Sequence, residues 1–171
     1  MTKNIYLAGG CFWGTEKTFK LLSGVTDTTV GYANGHSENP TYKEVCTDTT
    51  GHRETVKVTY NPDKITLDQI LTVYFMIIDP TVRNRQGADV GTQYQTGVYY
   101  DDPEDLPAIE NRFKDERQKN AAFFVELCPL SCFYPAEEYH QDYLDKNPTG
   151  YCHVSVGEFH KIKELNEVWN S

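Results

Sequence analysis

The stretch Gly9-Gly10-Cys11-Phe12-Trp13-Gly14 sets a thiol between glycines, at the point where a short apolar strand gives way to a helix. The free N–H groups and the dipole at a helix N-terminus favour a thiolate, and only the thiolate is a good nucleophile. Phe12 and Trp13 beside it offer an aromatic face suited to a thioether methyl group, because sulfur and aromatic rings attract. A small packed cysteine beside two core aromatics would be spelled the same way. A second chemical group is needed to choose between them.

Glu54 is such a group. It enters a segment in which Glu54, Val56, Val58 and Tyr60 share one face and Thr55, Lys57 and Thr59 the other. A carboxylate on an apolar face is desolvated, so its pKa rises and it can hold a proton near neutral pH. Glu54 thus qualifies as a general acid, unless it swings out to water at the start of its strand. Among the 12 tyrosines, Tyr32, Tyr42 and Tyr94 stand among small and polar neighbours, where a phenol could hold a polar S=O oxygen. Most tyrosines simply pack.

Five cysteines, at irregular spacing, complete the inventory. Cys152, in Gly150-Tyr151-Cys152, lies on a glycine-flanked segment that could swing toward another thiol, which makes it a candidate resolving cysteine. Cys128 and Cys132 match neither the redox spacing nor half of a zinc site, and read as structural or incidental thiols with a backup redox role open. Cys46 reads as a packed thiol. The five histidines form no metal pair at helical spacing, so no metal site is expected.

These groups need elements to hold them. Asn4 to Ala8 reads as a strand, Phe12 to Leu22 as an amphipathic helix, and Val25 to Ala33 as a β-branched strand. A turn-rich loop from Asn34 to Arg53 leads to the alternating strand at Glu54 to Tyr60. Thr66 can cap a helix from Leu67 to about Ile78, ended by Asp79-Pro80, and a strand follows at Gln95 to Tyr100. The order strand, helix, strand, strand, helix, strand is the split βαβ pattern, an α/β (α+β) sheet with helices on one side. Pro103 to Lys119 should add a helix, Phe123 to Leu127 a strand and Pro135 to Asp145 a short helix. The C-terminal segment 146–171, with Gly150 and Gly157, is expected to be largely irregular.

With 171 residues and no linker or repeat, the chain is expected to form a single domain, 1–171, able to bury a core without metals or disulfides. A formal net charge of -9 with no basic run argues against nucleic acid. The N-terminus lacks the pattern of a signal peptide and no stretch could span a bilayer, so a cytoplasmic protein is expected; a monomer is expected as well. A thiol peroxidase would use a similar cysteine but has no obvious need of a neutral carboxyl beside it. A zinc protein built on Cys128, Cys132, Cys152 and His153 would need a different spacing.

Five segments in unbroken order, Gly10-Cys11-Phe12-Trp13-Gly14, Asn39-Pro40-Thr41-Tyr42, Gly51-His52-Arg53-Glu54, Gly91-Thr92-Gln93-Tyr94 and Tyr139-His140-Gln141-Asp142-Tyr143-Leu144, closely resemble the peptide methionine sulfoxide reductase A family. The resemblance implies a ferredoxin-like core and reduction of the (S)-sulfoxide of methionine. It implies Cys11 as nucleophile, Glu54 as proton donor, Tyr42 and Tyr94 as hydrogen-bonding phenols, Asp89 as a polar residue near the site, and Phe12 and Trp13 as the methyl pocket. A sulfenic acid would form on Cys11 and be resolved by Cys152, with thioredoxin, or dithiothreitol in vitro, as reductant and no bound cofactor. Many relatives carry a further cysteine in the tail. The stretch from His153 to Ser171 has none, so recycling falls to Cys152 or a less usual thiol. Asn34 also stands where many relatives have glycine.

Overall fold

The computed structural model describes residues 1–171. Its first strand, β1 (Lys3–Ala8), runs into α1 (Phe12–Lys20), which returns to β2 (Val25–Ala33). A short α2 (Tyr42–Val45) precedes β3 (Arg53–Tyr60) and α3 (Leu67–Ile77). The two-residue strands β4 (Arg85–Gln86) and β5 (Asp89–Val90) form a small hairpin, followed by a 3-10 turn at Thr92–Tyr94 and by β6 (Gly97–Tyr100). Then come α4 (Leu106–Lys119), β7 (Glu126–Pro129), β8 (Phe133–Pro135), α5 (Tyr143–Lys146) and α6 (Val156–Trp169).

Six strands make one sheet in the order β7-β6-β1-β3-β2-β8. Strands β6, β1, β3 and β2 pair antiparallel throughout. This is the split βαβ core expected from the sequence, with β7 added in parallel at one edge and β8 antiparallel at the other. The period of two explains the layers: Ile5, Leu7, Val30, Val56, Val58 and Val98 are buried on the face that packs against Phe12 and Phe19 of α1 and Ile70, Leu71, Val73 and Tyr74 of α3. The other face carries a small cluster of Tyr6, Ala8, Ala33 and Tyr99, closed by Phe133, Cys128 and Leu130.

Local chemistry fixes the end of the sheet that matters. Thr66 and Gln69 form a reciprocal capping box that starts α3, a device worth about 1 kcal/mol. α3 in turn presents Tyr74, whose hydroxyl donates to the Ala8 carbonyl at 2.6 Å and accepts the Gly97 N–H at 3.0 Å. The last residue of β1 is thereby locked beside Gly9, where the chain turns into α1.

Three expectations need correcting. The tail is not largely irregular: α6 covers Val156–Trp169, capped by the Ser155 hydroxyl, which accepts the Glu158 N–H, and anchored by fully buried Ile162. The seventh strand begins at Glu126 rather than Phe123, because Phe123 and Phe124 are occupied elsewhere: Phe123 packs edge-on to Phe113 and Phe124 lies under the Arg83 guanidinium. The helix expected over 135–145 is a 3-10 turn at Glu138–His140 followed by α5, with Asp142 between them in the left-handed region at φ 55°. No helix is long and apolar enough to cross a membrane, and no three His, Cys, Asp or Glu side chains converge as a metal-holding group.

Candidate active site

Cys11 caps α1 from an extended backbone conformation. Gly10 before it takes φ +79°, and a side chain there would meet the Gln86 Cβ at 2.8 Å, so the turn requires glycine. Cys11 is 7% exposed. Burial first, and the facing Glu54 second, push its thiol well above the ordinary range, while the Trp13 N–H at the helix start pulls the other way. Cys11 is therefore held as the thiol rather than as the thiolate expected from the helix N-terminus: desolvation outweighs the dipole.

Glu54 lies at the matching end of β3 and is 1% exposed. Its Oε1 accepts the Phe12 N–H at 3.2 Å, while Oε2 is buried with no partner. Burial pushes its pKa up to about 8, with the Phe12 bond opposing and the Asp89 charge adding to the rise. At neutral pH the carboxyl is mostly protonated, as its apolar row implied.

Aromatic rings enclose the pair. Tyr42 is the first residue of α2, whose own capping box joins Thr41 and Glu44. Its backbone N–H donates to Glu137 Oε2 at 3.0 Å, and its ring lies 6.4 Å from Phe12 and 4.3 Å from His140. Tyr94 ends its 3-10 turn. Both phenols are held above their ordinary range by burial first and the Glu54 charge second, so both remain donors. Trp13 stacks on Tyr143 at 3.7 Å and donates its Nε1–H to His140 Nδ1 at 3.0 Å. Burial keeps His140 neutral. The sequence reading gave His140 no role, since nothing in its spacing distinguishes it from a core histidine.

Asp89 touches the C-terminal segment: its Oδ2 accepts the Tyr151 hydroxyl at 2.9 Å. Cys152 is half-buried, and its Sγ–H donates to the Val154 carbonyl at 3.4 Å. Its sulfur sits in a notch at Gly14, on the first turn of α1, where a side-chain methyl would come within 2.9 Å of it. Cys11, Glu54, Tyr42, Tyr94, Phe12, Trp13, Asp89 and Cys152 thus gather at one end of the sheet.

The remaining thiols differ from expectation or lie elsewhere. Cys46 is exposed rather than packed, on the last turn of α2 facing the Tyr42 hydroxyl. Cys128 packs with the cluster on the opposite face of the sheet, and its sulfur accepts from Asn34 Nδ2 at 3.4 Å. Cys132 donates its thiol to the Gly35 carbonyl at 3.7 Å. Asn34 itself adopts φ 57°, a conformation glycine also takes freely, and its side-chain oxygen accepts from the backbone N–H of Ser131 and of Cys132.

A comparison with known proteins matches the family model "Peptide methionine sulfoxide reductase" over residues 3–170. A peptide methionine sulfoxide reductase from Clostridium acetobutylicum is 52% identical over 153 residues, covering 89% of this chain and 94% of that one. Among solved structures, the reduced form of Mxr1 from Saccharomyces cerevisiae superposes with a TM-score of 0.86 at 39% identity, covering 90% of this chain and 91% of that one. Mxr1 in complex with Trx2 superposes at 0.60 with 29% identity, covering 83% and 84%. The chain belongs to the peptide methionine sulfoxide reductase family.

Proposed function

We propose that residues 1–171 form one catalytic unit that reduces the (S)-sulfoxide of methionine, with Cys11 as nucleophile and Glu54 as the acid that releases the oxygen. The observation that carries these roles is the buried, unpartnered Oε2 of a carboxyl that stays protonated near pH 7, at the same end of the sheet as a buried thiol. Phe12 and Trp13 offer the ring surface against which an S-methyl group packs. The phenols of Tyr42 and Tyr94 donate to the sulfoxide oxygen, and Asp89 contributes polarity and negative charge at the rim.

The chemistry follows from the two groups. A sulfoxide oxygen leaves sulfur only as it is protonated, and Glu54 supplies that proton. The Cys11 hydrogen must depart for the sulfur to attack, and the carboxylate left on Glu54 is its acceptor. The oxygen ends on Cys11 as a sulfenic acid and the substrate leaves as a thioether, so atoms and charge balance. Cys152 then condenses with Cys11 to a disulfide and releases water. A groove of about 460 Å³ beside Cys152, lined by Lys17, Leu144, Thr149 and Val154, gives an external dithiol room to approach.

Thioredoxin is the reductant we infer, supported by the Mxr1 complex with Trx2. A cytoplasmic setting suits this cycle, in which all five cysteines start as thiols. Dithiothreitol-driven reduction of the two methionine sulfoxide epimers, followed separately, tests the activity. One epimer alone should be consumed; failure on both would overturn the proposed reaction. Cys152→Ser, run beside wild type in a thioredoxin-coupled assay, should keep a single turnover and lose recycling.

A further inference from the structure

His153 is the residue after Cys152, and both of its ring nitrogens are buried without a hydrogen-bond partner. A buried polar group left unpaired in a folded protein calls for an explanation, and gaining a partner during function is one. The imidazole lies across the two glycines that flank Cys11. A methyl built at Gly14 would come within 3.2 Å of His153 Nδ1 and 2.9 Å of Cys152 Sγ, and one built at Gly10 within 3.6 Å of His153 Cε1. The resolving thiol and an unoccupied imidazole nitrogen therefore converge on one notch in the first turn of the nucleophile's helix.

Charge around the notch suits proton transfer. Asp89 of β5 and Glu158 of α6 face the imidazole and favour its protonated form, while burial, the larger effect, lowers its pKa. Burial likewise raises Cys152, with the Val154 backbone opposing it, Lys17 of α1 favouring the thiolate and Glu158 disfavouring it. Cys11 and Tyr151 complete the set of titratable groups near Cys152. Without help, Cys152 would be a thiol at neutral pH and a poor nucleophile.

We propose that His153 is the acid–base catalyst of the resolving step: Nδ1 takes the proton from Cys152, and the imidazolium then protonates the oxygen leaving Cys11. This rests on the roles given above to Cys11 and Cys152. The Cys152 sulfur attacks the Cys11 sulfur, the S–S bond forms, the S–O bond breaks and water departs. Cys152 is oxidised, the sulfenic sulfur is reduced, and the imidazole ends as it began.

The test uses the full chain, one equivalent of N-acetylmethionine sulfoxide and rapid quenching. Thioether release is read by chromatography, and the Cys11–Cys152 disulfide by intact mass after alkylation. In His153→Gln, disulfide formation should slow by about tenfold or more relative to thioether release. Its rate should also climb about tenfold per pH unit, tracking the Cys152 thiolate, where the wild-type rate stays nearly flat between about pH 7 and 8.5. Added imidazole should restore the step in His153→Ala, which a purely structural histidine would not show. An unchanged ratio and pH slope in His153→Gln overturns the proposal while leaving Cys152 in its role. Absence of any Cys11–Cys152 disulfide in wild type removes both.

Discussion

The Tyr151 hydroxyl donates to Asp89 at 2.9 Å, which ties the residue before Cys152 to the hairpin that borders Tyr94. The same carboxylate raises the pKa of both Cys11 and Glu54 through its charge. In the proposed cycle Asp89 bears on two steps, by holding the segment of Cys152 and by keeping Glu54 protonated. The acid role proposed for Glu54 requires its protonated form, so single-turnover thioether release should fall as pH rises through about 8. Asp89→Asn should move that alkaline limb to lower pH, because a carboxyl without a neighbouring negative charge ionises more easily. A limb that stays in place, or moves up, would contradict this account.

Glu54→Gln keeps the shape of the side chain and the acceptor for the Phe12 N–H but cannot release a carboxylic proton. Single-turnover thioether formation should drop by about 100-fold or more, within the range expected for general acid catalysis. KM should move far less than kcat, since the loss is confined to the transition state. A variant altered only in KM would exclude Glu54 as the acid.

The same substitution has a separate consequence for stability. The folded pKa of Glu54, about 8, lies above its ordinary 4.5. Stability linked to this group is full below pH 4.5 and is lost as pH rises through about 8, because the unfolded chain ionises first. Glu54→Gln, neutral at every pH, should therefore melt at least about 3 °C higher than wild type at pH 8, with a smaller difference near pH 4.5. Melting curves at both pH values check it.

Gly14→Ala introduces a methyl where Cys152 Sγ and His153 Nδ1 now lie. Its damage should fall on recycling: thioredoxin-coupled turnover should decrease by about fivefold or more relative to thioether release in the first turnover. Equal losses in both assays would mean that the notch at Gly14 does not seat the resolving cysteine.

Asn34 lies on the β2–β8 edge, where its amide ties Ser131 and Cys132 to the end of β2. Asn34→Ala loses these bonds and places alanine at φ 57°. The cost should be about 2 kcal/mol, seen as a melting temperature lower by roughly 4 to 8 °C. Thioether release should be retained at a temperature where the variant is folded, since the side chain of Asn34 bonds to Cys128, Pro129, Ser131 and Cys132 of the β7–β8 segment.

The core was legible because its signals were local and repeated. The alternation from Glu54 to Tyr60 placed Glu54 on the buried face, and the β-branched run from Val25 to Ala33 gave β2 its full length. Cys11 was legible from its glycines and its place between strand and helix, but its protonation was not, because desolvation depends on what packs over it. Helix α6 carries legible signals too: Ser155 and Glu158 have capping-box spacing, and Phe159, Ile162 and Trp169 fall on a helical stripe. The glycines at 150 and 157 weighed against it in the sequence. Phe123 and Phe124 looked like strand residues because an apolar pair carries no sign of whether it enters a sheet or fills a corner. The meeting of His153 with Gly10 and Gly14 joins residues more than a hundred positions apart, and only the folded chain displays it.

Segment 147–155, which carries Cys152, is held at both ends, by α5 before it and by the buried Ile162 of α6 after it. A tethered thiol of this kind has an effective concentration in the millimolar range or above without any free partner being present. That bears on the lifetime of the sulfenic acid. In the proposed cycle each turnover leaves Cys11 one oxidation step from the irreversible sulfinic acid, under the same oxidising conditions that produce methionine sulfoxide. An external oxidant must compete with a neighbour that is always at hand. Anchoring the tail therefore protects the enzyme from the conditions under which it is needed.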